Sequence, residues 1–89
     1  YGGYVIKMRI NKHKPENWKG EHILLHRTSE RNKSEPYAMY CNVVRPADPK
    51  YGKRMYVMVF GQYYWSTQGT RFIYVEPDCI AKYSDYFKD

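Results

Sequence analysis

Aromatic rings and cations recur together in this chain, and the chemistry they offer is the binding of bases and phosphates. In Tyr63-Tyr64-Trp65-Ser66-Thr67-Gln68-Gly69-Thr70-Arg71-Phe72-Ile73-Tyr74-Val75, two β-prone runs flank Gln68-Gly69. That dipeptide predicts a tight two-residue hairpin, with Gly69 supplying the positive φ. The implied register sets Trp65 opposite Phe72 and Tyr63 opposite Tyr74 on one face, with Tyr64 opposite Ile73 on the other. Exposed, such a block of four rings is a platform for unpaired bases, worth roughly 1 to 3 kcal/mol per stacked base. Buried beneath a terminal helix, it is ordinary core packing.

A second run, Lys50-Tyr51-Gly52-Lys53-Arg54-Met55-Tyr56, interleaves cations with Tyr51 and Tyr56, so phosphate contacts and stacking rings arrive together. Lys7 and Arg9, and then Lys12, Lys14 and Lys19, extend the basic character toward the N-terminus. A merely solvated basic surface explains the same letters.

His22 and His26 stand four apart, and with Cys41 and Cys79 they supply zinc-ligand types. No pair has finger-like spacing, however, and cysteines acting as small core residues account for them better. No metal or cofactor is therefore expected. Catalysis would call for a nucleophile with a partner base, paired carboxylates, or a glycine-rich phosphate loop, and none of these stands as a motif. Tyr1-Gly2-Gly3-Tyr4 does not follow a strand or open a helix.

These residues need elements to hold them. Tyr4, Ile6, Met8 and Ile10 alternate with Val5, Lys7 and Arg9, the period of an opening strand with one apolar and one mostly basic face. Asn11 to Gly20 carries Pro15, Asn17 and three lysines and reads as a surface loop anchored by Trp18. Ile23, Leu24 and Leu25 within Glu21 to Thr28 read as a strand, and Thr28 to Pro36 as a polar loop. Tyr37 to Arg45 and Arg54 to Phe60 form a hairpin whose longer turn holds Asp48, Pro49 and Gly52. Gly61 is a candidate bulge or bend before Gln62 to Thr67. Pro77 closes the last strand. Beyond it, Asp78 is a possible N-cap, and Ile80, Tyr83 and Phe87 have the spacing of a short amphipathic helix.

The expected architecture is a single domain over residues 1–89. It is mainly β, a small antiparallel sheet of five or six strands curled into an OB-like or SH3-like barrel or half-barrel with a short C-terminal helix. Eighty-nine residues suffice for one such core, and 43% hydrophobic content is too high for disorder. Aromatic content of 18%, carried mostly by 11 Tyr, suits both strands and binding surfaces.

Charge is uneven. Up to Met58 there are 12 Lys/Arg against 5 Asp/Glu, and from Val59 onward 3 against 4, so the net +6 belongs to the first two thirds. Such an excess attracts phosphate backbones, anionic membranes or acidic proteins. No apolar run approaches the roughly 20 residues of a membrane span, so a membrane role is not expected. Two cysteines read as reduced and unjoined, which points to an intracellular setting; a start at Tyr1 without Met also fits a processed secreted fragment.

The functional expectation is a non-catalytic module for nucleic acid, single-stranded by preference, using Lys7, Arg9, Lys12, Lys14, Lys50, Lys53 and Arg54 for phosphates. Tyr51, Tyr56, Tyr63, Trp65, Phe72 and Tyr74 take the bases. The rival is a small inhibitor or adaptor, of the kind phages and mobile elements carry, that docks its aromatic face on an acidic protein partner. A small metal-independent nuclease built from His, Arg, Lys and Tyr is third.

Overall fold

A computed structural model describes residues 8–26 and 36–87, the side chain of Tyr51 excepted. The predicted opening strand and the polar loop from Thr28 fall largely outside these residues. What is described is mainly β. Five strands, β1 (His22–His26), β2 (Tyr37–Arg45), β3 (Met55–Phe60), β4 (Thr70–Val75) and β5 (Ile80–Lys82), form one antiparallel sheet in the order β4-β3-β2-β1-β5. A single helical turn, α1 (Tyr83–Tyr86), follows. Among the described residues the sheet ends in β4 on one side and β5 on the other, so of the expected barrel or half-barrel it is not the closed form.

β1 is a continuous apolar run because both of its faces are covered. Leu24 points into a cluster with Met39, Cys41, Val57 and Val59, and Ile23 and Leu25 point into a second cluster with Ala38. Met8, Ile10, Trp18, Tyr83 and Phe87 pack on the second cluster. Of the predicted opening strand, Arg9 makes a parallel bridge to Tyr37, donating its N–H to Pro36 O and accepting from Ala38 N–H. Met8 and Ile10 are half-buried while Arg9 is exposed, the alternation read from the sequence.

Trp18 does anchor its loop. Its indole N–H donates to His22 O at 2.9 Å and Cys41 O at 3.1 Å, and its ring meets Tyr40 and Tyr83 edge-on at 4.5 and 5.1 Å. Asn42, the buried polar residue of β2, donates to Asn17 O and accepts from Lys19 N–H, so it satisfies itself by pinning the same loop.

The β2–β3 hairpin follows the sequence reading. In its turn the Asp48 side chain accepts from Lys50 N–H at 2.9 Å, Pro49–Tyr51 makes a 3-10 turn, and Gly52 takes φ 70°. A bulge between Val43 and Arg45 shifts the register, so that Arg45 comes opposite Tyr56.

One expectation is overturned and another is met only in part. Tyr63 to Thr67 is no strand and Gln68-Gly69 is no two-residue turn: β4 pairs with β3, Phe60 opposite Thr70 through Met55 opposite Val75. Residues 61–69 are the connecting loop, closed by Gly61 N–H donating to Gly69 O at 2.8 Å. The pairing with β3 wins because it lays Ile73 and Val75 against Val57 and Val59, which the polar Ser66 and Thr67 could not do. The expected short C-terminal helix is present as α1, but it is shorter than its spacing suggests. Ile80 lies in β5, paired with Leu24, and Pro77–Cys79 is a 3-10 turn, so Asp78 caps nothing. Three residues of edge strand satisfy backbone groups that a helix starting at Asp78 would have left at its first turn.

Candidate nucleic-acid interface

The β3–β4 register decides which rings meet. Gly61 and Gly69 are a hydrogen-bonded pair, so alternation down the ladder makes Tyr56 and Tyr74 a non-hydrogen-bonded pair, the kind whose side chains stand closest. Their ring centroids lie 4.7 Å apart, and Tyr56 also stacks on Phe72 at 5.8 Å. Phe72 is 52% exposed and Tyr74 45%, so this row is surface and not core. Arg45 completes it, its guanidinium 5.1 Å above the Tyr56 ring. The sequence reading missed Arg45, because only the bulge brings it opposite Tyr56.

Tyr63 and Trp65 do not face Phe72 and Tyr74. They stack on each other in the 61–69 loop, centroids 4.7 Å apart and planes 1° from parallel, with Trp65 64% exposed. Tyr64, from the same loop, turns inward onto the first cluster, packs against Tyr37 with the rings tilted by 35°, and meets Trp65 edge-on. The expected block of four rings is thus two exposed groups at opposite ends of the β3–β4 hairpin.

The cations divide as well. Lys50, Lys53 and Arg54 are exposed in the β2–β3 turn, at the end of the sheet that carries Arg45, Tyr56 and Tyr74. Arg54 pairs with Glu76 at 3.4 Å, an exposed bridge of little stabilising value. Arg9 lies on the opposite face, donating to the Tyr64 hydroxyl at 3.3 Å. Lys12 is exposed in the Trp18 loop, and Lys14 Nζ sits 5.1 Å over Tyr83 beside α1. Lys7 and the Tyr51 side chain lie outside the described residues. One cluster therefore joins rings to cations: Arg45, Tyr56, Phe72 and Tyr74 with Lys50, Lys53 and Arg54 at its end.

His22 and His26 share one face of β1. Among the described residues no three His, Cys, Asp or Glu side chains gather to hold a metal ion. Cys41 and Cys79 are free thiols, and burial pushes the Cys41 thiol up to about 12. His26 stacks on Tyr37 at 4.7 Å with its Nε2 buried and without a hydrogen-bond partner. Burial, and secondarily the charge of Arg71, hold its pKa below the ordinary 6.5. Unfolded chain then takes up a proton near pH 6.5 that the native imidazole refuses, so stability falls as pH drops below 6.5 until the native pKa is passed. Urea midpoints measured from pH 7.5 downward should show this decline, and His26→Gln should lessen it; an unchanged decline in the variant assigns it to other groups.

Among the described residues no helix is long and apolar enough to cross a membrane. Compared with protein-family models, with curated proteins and with solved structures, the chain finds no match in any of the three.

Proposed function

We propose that this chain is a non-catalytic binding module for single-stranded nucleic acid, in which the ring row on β3 and β4 stacks bases and the β2–β3 turn takes phosphates. The observation that supports this most is the exposure of Phe72 and Tyr74 beside Tyr56 and Arg45, with Lys50 and Lys53 at the same end of the sheet. Stacking on aromatic faces is sequence-tolerant because every base has a π-face, and it is open only to bases free of a duplex. An intracellular setting fits this reading, since reduced thiols persist there.

The rival reading, an inhibitor or adaptor docking on an acidic protein, draws on the edge position of β4. The backbone groups of Phe72 turn away from β3, and among the described residues no strand pairs with that side of β4. Salt separates the two, because phosphate binding weakens steeply with ionic strength while a ring-dominated protein interface changes far less.

Titration of a labelled single-stranded oligonucleotide at several salt concentrations is the test. Lys50→Ala with Lys53→Ala should weaken binding and flatten the slope of log K against log salt by up to about 0.7 per lost contact. Phe72→Ala or Tyr74→Ala should cost about 1 to 3 kcal/mol of affinity with the slope kept. Both rings are exposed, so the melting temperature should move little. Wild-type protein that leaves every oligonucleotide unbound at low salt would overturn the proposal.

A further inference from the structure

Arg71 is a half-buried cation without a carboxylate partner among the described residues. It stands on the inward-facing side of β4 with Ile73 and Val75, and its Nε donates to Gly61 O at 3.3 Å. Its remaining neighbour of note is the Met39 sulfur at 3.9 Å, a weak acceptor. A guanidinium carries five N–H donors in a fixed fork matched to two oxygens of one anion, and here that capacity is mostly unspent. Partial burial of such a group without a counter-charge is costly, and the charge is felt at His26.

The surroundings of Arg71 are built from groups that complement an anion. A cleft of about 310 Å³ is lined by Gly61, Gln62, Gln68, Gly69, Thr70 and Arg71, amide, hydroxyl and guanidinium donors with no carboxylate among them. A second cleft of about 310 Å³ shares Gln68, Gly69 and Thr70 and runs on toward His13, Glu16 and Asn17, so the carboxylate of the groove lies at the end away from Arg71. The groove is therefore longer than one phosphate and follows the turn between β3 and β4. The same 61–69 loop presents the stacked Tyr63–Trp65 pair.

We infer that this cleft is a binding site for the phosphate of a nucleotide, with Arg71 as its cationic anchor and Gln62, Gln68 and Thr70 completing the donor set. The inference rests on the single-strand reading and deepens it, placing one phosphate of the strand at the opposite end of the β3–β4 hairpin from Lys50 and Lys53. Trp65, exposed on the loop that lines the cleft, is the ring placed to take the adjoining base.

The test is a titration of wild-type protein, followed by amide and guanidinium NMR, with three ligands: inorganic phosphate, adenosine 5′-monophosphate, and adenosine without phosphate. Shifts should centre on the Gln62 and Gln68 side-chain amides, the Gly61 and Gly69 N–H groups and Arg71 Nε–H. The monophosphate should bind at least tenfold more tightly than adenosine, and Arg71→Gln should remove that difference. Because Arg71→Gln also gives up the Gly61 contact, Gln68→Ala is the companion variant. Gln68 is exposed, so its loss should weaken the monophosphate severalfold with the fold intact.

A response no larger than that to sodium chloride at matched ionic strength overturns the inference, as does monophosphate affinity unchanged in folded Arg71→Gln. Oligonucleotide binding that survives Arg71→Gln at full strength also overturns it, while sparing the single-strand reading. Arg71-dependent binding of the monophosphate without any oligonucleotide binding sustains the site and overturns that reading.

Discussion

Replacing Trp18 with alanine is expected to lower the unfolding free energy by roughly 3 to 5 kcal/mol, the range for a large aromatic removed from packed surroundings. A domain of this size has about 5 to 15 kcal/mol in all, so much of its stability is at stake. The reason lies in what one side chain joins. Trp18 packs on the cluster of Ile23, Leu25 and Ala38, meets Tyr40 and Tyr83 edge-on, and donates one N–H to carbonyls on both β1 and β2. Trp18→Phe keeps a ring but not the donor, and should fall between wild type and alanine, since the two carbonyls lose a shared partner at about 1 to 3 kcal/mol. Urea denaturation of the three proteins measures this. An alanine variant within about 1 kcal/mol of wild type would show that the 11–20 loop is held by Asn42 and not by the indole.

Trp18 also illustrates what was legible in the sequence. A lone large apolar residue among lysines, proline and asparagine has to be an anchor, but its acceptors belong to chain 4 and 23 residues away. The strands β2 and β3 were legible for local reasons: β-branched and aromatic residues recur and Pro46 and Asp48 punctuate them. β4 was legible as a strand while its partner was not. A strand chooses its neighbour by the apolar area the pairing buries, and Val57 and Val59 outbid the nearer Tyr63 to Thr67 segment.

The candidate site suffered most from this, because rings and cations meet through register. Tyr56, Phe72 and Tyr74 were each recognised as rings, yet their grouping depends on which β3 residue faces which β4 residue. Arg45 and Arg71 carried no sequence signal at all. The first is brought over Tyr56 by a bulge, and the second is distinguished by having no carboxylate partner among the described residues. The expected short C-terminal helix is present but starts later through the same kind of choice: the spacing of Ile80, Tyr83 and Phe87 fits a helix, but the exposed edge of β1 offered Ile80–Lys82 ladder partners, leaving Tyr83–Tyr86 as the helical turn.

Gly61→Ala is expected to cost about 2 to 5 kcal/mol, and the effect should be felt in the loop as well as in the melting curve. Gly61 takes φ 88°, and a Cβ placed there would stand 1.9 Å from Ser66 O, which belongs to backbone and cannot swing aside like a side-chain tip. Either the loop opens or the strand end distorts. The loop holds the Tyr63–Trp65 stack, and Gly61 O is the acceptor that fixes Arg71 Nε, so both should shift together. Tryptophan emission should move toward that of exposed indole, and the Arg71 Nε–H resonance should lose its hydrogen-bonded position. Gly69→Ala is the control, because Gly69 has nearly the same φ, 79°, but nothing within 4 Å of its would-be Cβ. It should cost only the roughly 1 to 2 kcal/mol of left-handed backbone, leaving emission and Arg71 unchanged. Equal losses in the two variants would mean that φ alone sets the cost and that the close approach of Ser66 to Gly61 contributes nothing to the shape of the loop.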